Sequence, residues 1–222
     1  MSELLWSRVD AYFEEHLVAN DPVLAKALAN NAAAVLPAID VTPGQGKLLY
    51  LYAKMIGARH ILEIGTLGGY STLWLAKALP PEGRIVTLEL EPRHAEVARG
   101  NFAESGYEGS IETIVGPALD SLRMIKSRKA APFDFVFIDA DKASTLAYFQ
   151  IALELCRPGA VIIADNVVRK GQVAEPGTDD PNVLGMRRLV DALSTETRVE
   201  ATAVQTVGTK GYDGFIIARV RD

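Results

Sequence analysis

The sequence predicts an α/β protein built on a mostly parallel sheet with helices on both faces. Two patterns carry that prediction. Strand-like apolar runs alternate with helix-like segments from residue 58 onward, and the chain ends in two β-rich runs joined by a short glycine-bearing loop. Alternation of this kind makes βαβ units, whose parallel strands need a crossover helix. A loop too short for a crossover makes the last two strands antiparallel neighbours. A third observation, an amphipathic leading stretch, adds helices ahead of the sheet.

Taken in order, Leu5, Val9, Tyr12, Phe13 and Leu17 of "MSELLWSRVDAYFEEHLV" fall at amphipathic-helix spacing. Acidic residues interrupt the stretch, so it is not a secretion signal. This helix covers either the core of its own domain or a partner subunit. Asp21 and Pro22 supply an N-cap and a first-turn proline for a second helix through Val35. Thr42 and Pro43 repeat the signal for a third, with Gly57 as its stop. The strand-like runs "HILEI", "RIVTLE", "IETIV", "FDFVFID" and "AVIIAD" follow, separated by helical segments over residues 69–79, 93–105, 117–127 and 143–157. The least regular stretch, Asn166 to Asn182, comes after the fifth strand, a natural place for a loop over a site. No repeat or interdomain linker appears. The chain therefore reads as one domain over residues 1–222, with a helical cap (1–57) on an α/β core (58–222).

Composition narrows the function classes. With 49% hydrophobic residues among 222, the chain has material for a substantial core. A formal charge of −5 and the lack of any Lys/Arg block argue against a nucleic-acid partner. No apolar run is long enough to cross a bilayer, so a cytoplasmic protein without a membrane partner is expected. The single cysteine, Cys156, excludes an internal disulfide and fits a reducing compartment. It precedes "RPG" at what reads as a helix end, as a packing residue. His16, His60 and His94 are scattered, which argues against a zinc cage.

The chemistry-bearing residues gather after strands. "ILEIGTLGGYS" puts Gly65, Gly68 and Gly69 in a strand-to-helix turn, where backbone can approach a ligand closely; a tight packed turn is the other reading. Glu89 ends the second strand, placed either to accept both hydroxyls of an adenosine ribose or to be a solvated strand-end acid. Together they point to an adenosine-containing cofactor. The glycine spacing is not the dinucleotide one. Glu63, Asp139 and Asp141 would repel a pyrophosphate and attract an ammonium and a sulfonium, which favours S-adenosylmethionine (SAM) over NAD. Asp139, Asp165 and Asn166 end neighbouring strands and offer hard oxygen ligands for Mg²⁺, Mn²⁺ or Ca²⁺, though Asp-Asn after a strand also serves as a turn or helix cap. A dication would neutralise the charge crowded into "FVFIDADK". Lys142 is then either a general base toward a substrate hydroxyl or a surface lysine paired with Asp141. Arg169 and Lys170 in the following loop are candidates for contact with an acidic substrate.

The ordered set "EIGTLGGYS", "VTLE", "FIDADK" and "IADNV" resembles the class I SAM-dependent, cation-dependent O-methyltransferases of the catechol and caffeoyl-CoA type, especially the small bacterial members. The likeness runs over almost the whole chain, to "GYDGFIIARV". It implies a Rossmann-like fold with a seven-stranded sheet, one strand antiparallel, and extra N-terminal helices. It also implies that Asp139, Asp165 and Asn166 hold the metal and that Lys142 is the general base. Glu63, Gly65, Thr66 and Ser71 match the surroundings of the methionine portion of SAM. Glu89 matches the ribose acid, Ala118 the adenine contact, Val41 a contact from the preceding segment and Asp141 a cofactor contact of plant relatives. The implied reaction methylates one hydroxyl of a small aromatic diol, and homodimers are usual in the caffeoyl-CoA branch. The chain lacks a counterpart to the acid that orients the second phenol in mammalian catechol enzymes, and its loop 169–181 differs from the plant one. A metal-independent methyltransferase with the same pocket and a non-catalytic SAM-binding protein remain as alternatives.

Overall fold

The structure, a computed structural model, describes residues 3–128 and 132–222. Three helices lead: α1 (Glu3–Leu17), α2 (Pro22–Ala33) and α3 (Pro43–Met55). Their starts follow the capping signals. Asp21 accepts the Val23 N–H at 2.9 Å and Thr42 accepts the Gln45 N–H at 3.2 Å, each satisfying a donor that the first helical turn leaves unpaired. Strands and helices then alternate: β1 (His60–Ile64), α4 (Tyr70–Ala76), β2 (Arg84–Glu89), α5 (Pro92–Ser105), β3 (Ile111–Val115), α6 (Ala118–Ser127), β4 (Phe133–Ile138), α7 (Thr145–Leu155), β5 (Cys156–Asp165), α8 (Pro181–Leu193), β6 (Val199–Gly208) and β7 (Gly211–Val220).

The seven strands form one sheet in the order β3-β2-β1-β4-β5-β7-β6. β1 to β5 pair in parallel, while β7 runs antiparallel to both β5 and β6. The expected fold class is thereby observed, down to the single reversed strand. Successive connections leave β1 in one direction toward β3 and, from β4, in the other, so β1 and β4 flank the switch point of the sheet. Ligands of open α/β sheets bind outside the carboxyl ends of such strands.

Each face buries its own cluster. Strand side chains alternate between faces, so Leu62, Ile64, Val136, Ile138, Ile162 and Ala164 pack with α6, α7 and α8, while Ile61, Phe135, Phe137, Val161 and Ile163 pack with α2 to α5. This alternation decides the fate of Glu63. It shares the α4 face with Ile61 and is fully buried.

Three local expectations are corrected. Cys156 does not lie inside a helix: α7 stops at Leu155 and Cys156 opens β5, which is four residues longer than its apolar run because "CRPG" extends it through a register shift opposite Phe133 and Phe135. The Asn166–Asn182 stretch contains short turns over Arg169–Ala174, kinked at Lys170 and Gly171. After them comes α8, a helix that the segment assignments omitted. Its start repeats the earlier signal, with the Asp180 carboxylate accepting the Asn182 N–H at 2.8 Å ahead of Pro181.

Candidate active site

The carboxyl ends of β1, β2, β4 and β5 open into one cavity of about 1450 Å³. That exceeds the usual range for a single small ligand, roughly 300–1,000 Å³. Val41, Gly65, Thr66, Ser71, Glu89, Ala118, Asp139, Asp141, Lys142, Asp165 and Asn166 all line it. Of the residues singled out from sequence, Glu63, Gly68, Gly69 and Lys170 do not.

The β1–α4 turn is built by close approach. Gly65 has φ 101°, and a Cβ there would lie 2.2 Å from the Asp139 carbonyl oxygen. Glycine thus lets the ends of β1 and β4 meet, and it faces the cavity. Gly68 and Gly69 have a different role: added Cβ atoms would strike the Asn31 side chain and the Phe102 ring. For these two, the packed-turn reading is the structural one.

Glu89 holds the same turn from β2. Its Oε2 accepts the N–H groups of Thr66 (3.1 Å) and Leu67 (2.8 Å), and its Oε1 accepts that of Glu91 (3.0 Å). His94 Nδ1 lies 3.4 Å from the same Oε1 and also lines the cavity. Glu63 acts from beneath. It accepts hydrogen bonds from Ser71 Oγ at 2.6 Å, Thr87 Oγ1 at 2.7 Å and the Thr72 hydroxyl. Burial pushes its carboxyl up to about 7 against these three donors, with the charge of Asp139 adding to the rise. Glu63 therefore orients Ser71, which does reach the cavity.

On the β4–β5 side, Lys142 Nζ donates to Asp139 Oδ1 at 2.6 Å, and Lys142 is itself buried. Its ion-pair partner is Asp139 and not Asp141, the partner in the alternative reading of this lysine. Asp141 instead caps the turn that follows, accepting the Ser144 N–H at 3.0 Å and the Tyr148 hydroxyl. Burial, reinforced by that carboxylate, pushes the Tyr148 hydroxyl up to about 12. Asp165 is buried at the last position of β5; its Oδ1 accepts the Asn166 N–H at 2.8 Å and its Oδ2 accepts Gln45 Nε2 at 2.7 Å. Burial pushes its carboxyl up, the nearby charge of Asp139 adds to this, and Lys142 opposes it. Asn166 follows with φ 55°, a left-handed conformation that asparagine tolerates better than most residues. Among the described residues, no group of three His, Cys, Asp or Glu side chains gathers for a metal. Two carboxylates and one amide oxygen remain, a donor set suited to a hard cation.

Several site residues escaped sequence reasoning. Gln45 contacts Asp165 across 120 positions, and nothing local signals such a pair. Tyr148 stands seven residues after Asp141, a helical spacing that was legible. Gly185 of α8 has the Lys142 carbonyl oxygen 2.1 Å from where its Cβ would be, so its missing side chain seats α8 against the turn carrying the lysine. Lys210, in the β6–β7 turn, also lines the cavity, whereas Lys170 is exposed and does not. Burial pushes the Cys156 thiol up to about 12, in keeping with packing and not with nucleophilic use.

Comparison with known proteins places this site in a family context. An O-methyltransferase family model matches residues 14–220. The chain is 51% identical over 213 residues to a catechol O-methyltransferase of Mycobacterium tuberculosis, an overlap of 96% of this chain and 95% of that one. Among solved structures, an O-methyltransferase from Bacillus cereus in complex with SAH is 53% identical, with a TM-score of 0.97 over 99% of this chain and 100% of that one. The O-methyltransferase TomG from Streptomyces achromogenes, involved in tomaymycin synthesis and solved in complex with SAM, is 49% identical, with a TM-score of 0.96 and full coverage of both chains (100% each).

Proposed function

The chain belongs to the O-methyltransferase family, and we propose that it transfers the methyl group of S-adenosylmethionine to one hydroxyl of a vicinal diphenol with the help of a divalent cation. The observation that carries this reading is the Lys142–Asp139 pair beside Asp165 and Asn166, opening on the cavity that Gly65 and Glu89 line. The donor set fits Mg²⁺, with Mn²⁺ or Ca²⁺ as alternatives. Asp165 is a buried carboxyl next to a second carboxylate, which only one lysine offsets.

Asp139, Asp165 and Asn166 would hold the ion. When bound, it supplies charge stabilisation at the phenolic oxygens and lowers the pKa of the hydroxyl. Gln45 fixes the Asp165 carboxylate through its amide. Lys142 Nζ, positioned by Asp139, would receive the hydroxyl proton in its neutral amine form, having first released its own proton to solvent. The phenolate so formed attacks the sulfonium methyl carbon in line, and the products are a methoxyphenol and S-adenosylhomocysteine. On the cofactor side, Glu89 has its turn-facing lone pairs engaged and offers the remaining ones to the ribose hydroxyls. Gly65, Thr66 and Ser71 surround the methionine portion, Val41 and Asp141 add further cofactor contacts, and Ala118 lies at the adenine. Glu63 acts there through Ser71. The chain's contribution is mainly positioning and charge neutralisation.

A SAM-consumption screen of vicinal diphenols, run with and without EDTA, tests the reading. Turnover that depends on the diol and stops on chelation is the expected result, and lack of turnover on every vicinal diphenol would overturn it. The existing Asp139–Lys142 ion pair favours one second reading, a metal-independent transferase, which turnover after exhaustive chelation would select. We further infer a homodimer. α1 has no buried residue while Leu4, Tyr12, Phe13 and Leu17 are each more than half exposed, an apolar surface of the kind that marks association.

A further inference from the structure

The cavity wall next to β5 and β7 carries two cations that the mechanism above does not use. Arg169 comes four residues after Asp165. Its backbone is left-handed (φ 53°), as are those of Lys170 (56°) and Gly171 (86°). For non-glycine residues that conformation costs about 1–3 kcal/mol each and persists only where the surroundings enforce it. Asp213 of β7 provides the enforcement, since its Oδ1 accepts the N–H groups of Val168 and Arg169, each at 3.0 Å. Arg169 lines the cavity, and its Nε is buried without any hydrogen-bond partner among the described residues. Buried donors of this kind are rare in native proteins and call for an acceptor.

Lys210 lies in the two-residue turn between β6 and β7 and lines the same cavity. Neither it nor Arg169 forms an ion pair among the described residues, whereas Lys142 does. The acids that Lys210 faces already have other partners: Asp40 accepts from Asn31, Asp139 from Lys142 and Asp165 from Gln45. Phe13, Leu17, Ile39, Leu48 and Leu51 add apolar lining, among which α1 and α3 also place Asp10, Glu14 and Lys47. Arg169 and Lys210 lie at one end of the cavity, on the loop and the hairpin that Asp213 ties together.

On the premise of the vicinal-diphenol reading, we propose that Arg169 and Lys210 receive a carboxylate carried by the acceptor, making the substrate a dihydroxy aromatic acid in preference to a neutral diphenol. A guanidinium fork matches a carboxylate in two parallel hydrogen bonds, and the ammonium adds a point charge.

Calorimetric titration of the full-length protein, with MgCl₂ and S-adenosylhomocysteine present, decides the matter by comparing 3,4-dihydroxybenzoate with 3,4-dihydroxybenzamide. The acid is expected to bind about tenfold more tightly, the size of one hydrogen bond to a charged group. Arg169→Gln and Lys210→Gln are each expected to cut that preference at least about threefold while leaving amide binding within about twofold of wild type. Equal or weaker binding of the acid, an unchanged ratio in both variants, or lack of binding by either compound overturns the proposal. Lys210 is in an exposed turn, so its variant keeps the test decisive should Arg169→Gln fail to fold. Methyl transfer is read separately. An enzyme that binds the acid in this way but never consumes SAM would defeat the transfer reading and leave the anion site standing.

Discussion

Glu63 is a carboxyl group held where water does not reach, ringed by three hydroxyl donors. Its folded pKa of about 7 stands above the ordinary 4.5, so the folded state binds the proton more tightly than the unfolded one. The stability this contributes is full below pH 4.5 and is lost as pH rises through about 7, on the order of 3 kcal/mol across that window. Urea denaturation of wild type and Glu63→Gln should show the wild type losing ground to the variant over the same interval. Parallel pH profiles would mean that Glu63 is ionised throughout. Two neighbouring side chains separate the proton transfer from the metal contribution. Lys142→Ala is expected to lower kcat about 10²–10⁴-fold, with partial recovery at high pH where the diphenol ionises unaided. Asp165→Ala removes a proposed ligand and is expected to abolish nearly all turnover together with calorimetric Mg²⁺ binding. Full activity of Asp165→Ala in excess chelator would remove the metal from the mechanism.

At the scale of elements, turns between strands and helices set the geometry. Gly65 brings the ends of β1 and β4 into contact, in a backbone conformation that L-residues avoid. Gly65→Ala adds a Cβ that meets the Asp139 carbonyl oxygen, so a loss of about 2–4 kcal/mol in chemical denaturation is expected from strain and overpacking combined. The same shift would move Asp139, so Mg²⁺ affinity should fall with stability. Unchanged values of both would show that the turn relaxes freely. The β6–β7 hairpin also reaches the site. It carries Asp213, which fixes the loop after β5, and Lys210. The turn between its strands meets α1, where the Asp10 carboxylate accepts the Thr209 N–H at 2.7 Å. No helix among the described residues is long and apolar enough to cross a membrane.

For the whole molecule, the sheet order gathers residues far apart in sequence at one edge. β4 and β5 are neighbours, which places Asp139 beside Asp165, and β1 between β2 and β4 puts Gly65 next to both Glu89 and Asp139. The N-terminal helices lie over this edge, with α1 and α3 contributing Phe13, Gln45 and Leu48 to the cavity wall. α1 keeps its apolar side chains largely exposed, Leu4 at 78% and Tyr12 at 59%. Light scattering is expected to give the mass of a dimer, and Leu4→Asp combined with Tyr12→Asp to shift it toward the monomer. A monomeric wild type at micromolar concentration would leave that surface to some other contact.

Periodicity and punctuation determined the architecture without any coordinates. Apolar runs bounded by helix caps and glycine stops made the parallel core legible, and the short final loop made the reversed strand legible, because hydrogen-bond geometry allows few other connections. α8 was missed although Asp180 and Pro181 announce it as clearly as Asp21 and Pro22 announce α2. The acids at strand ends were readable as a cluster because all carboxyl ends of a parallel sheet point the same way. Their partners were not readable. Whether Lys142 pairs with Asp139 or Asp141, that Gln45 reaches Asp165, that Glu63 faces α4 and not the cavity, and that Lys210 joins the site while Lys170 does not are decided by which side of a pleat or turn a residue occupies. Those choices are made by packing between segments that share no local pattern, so only the folded chain contains them.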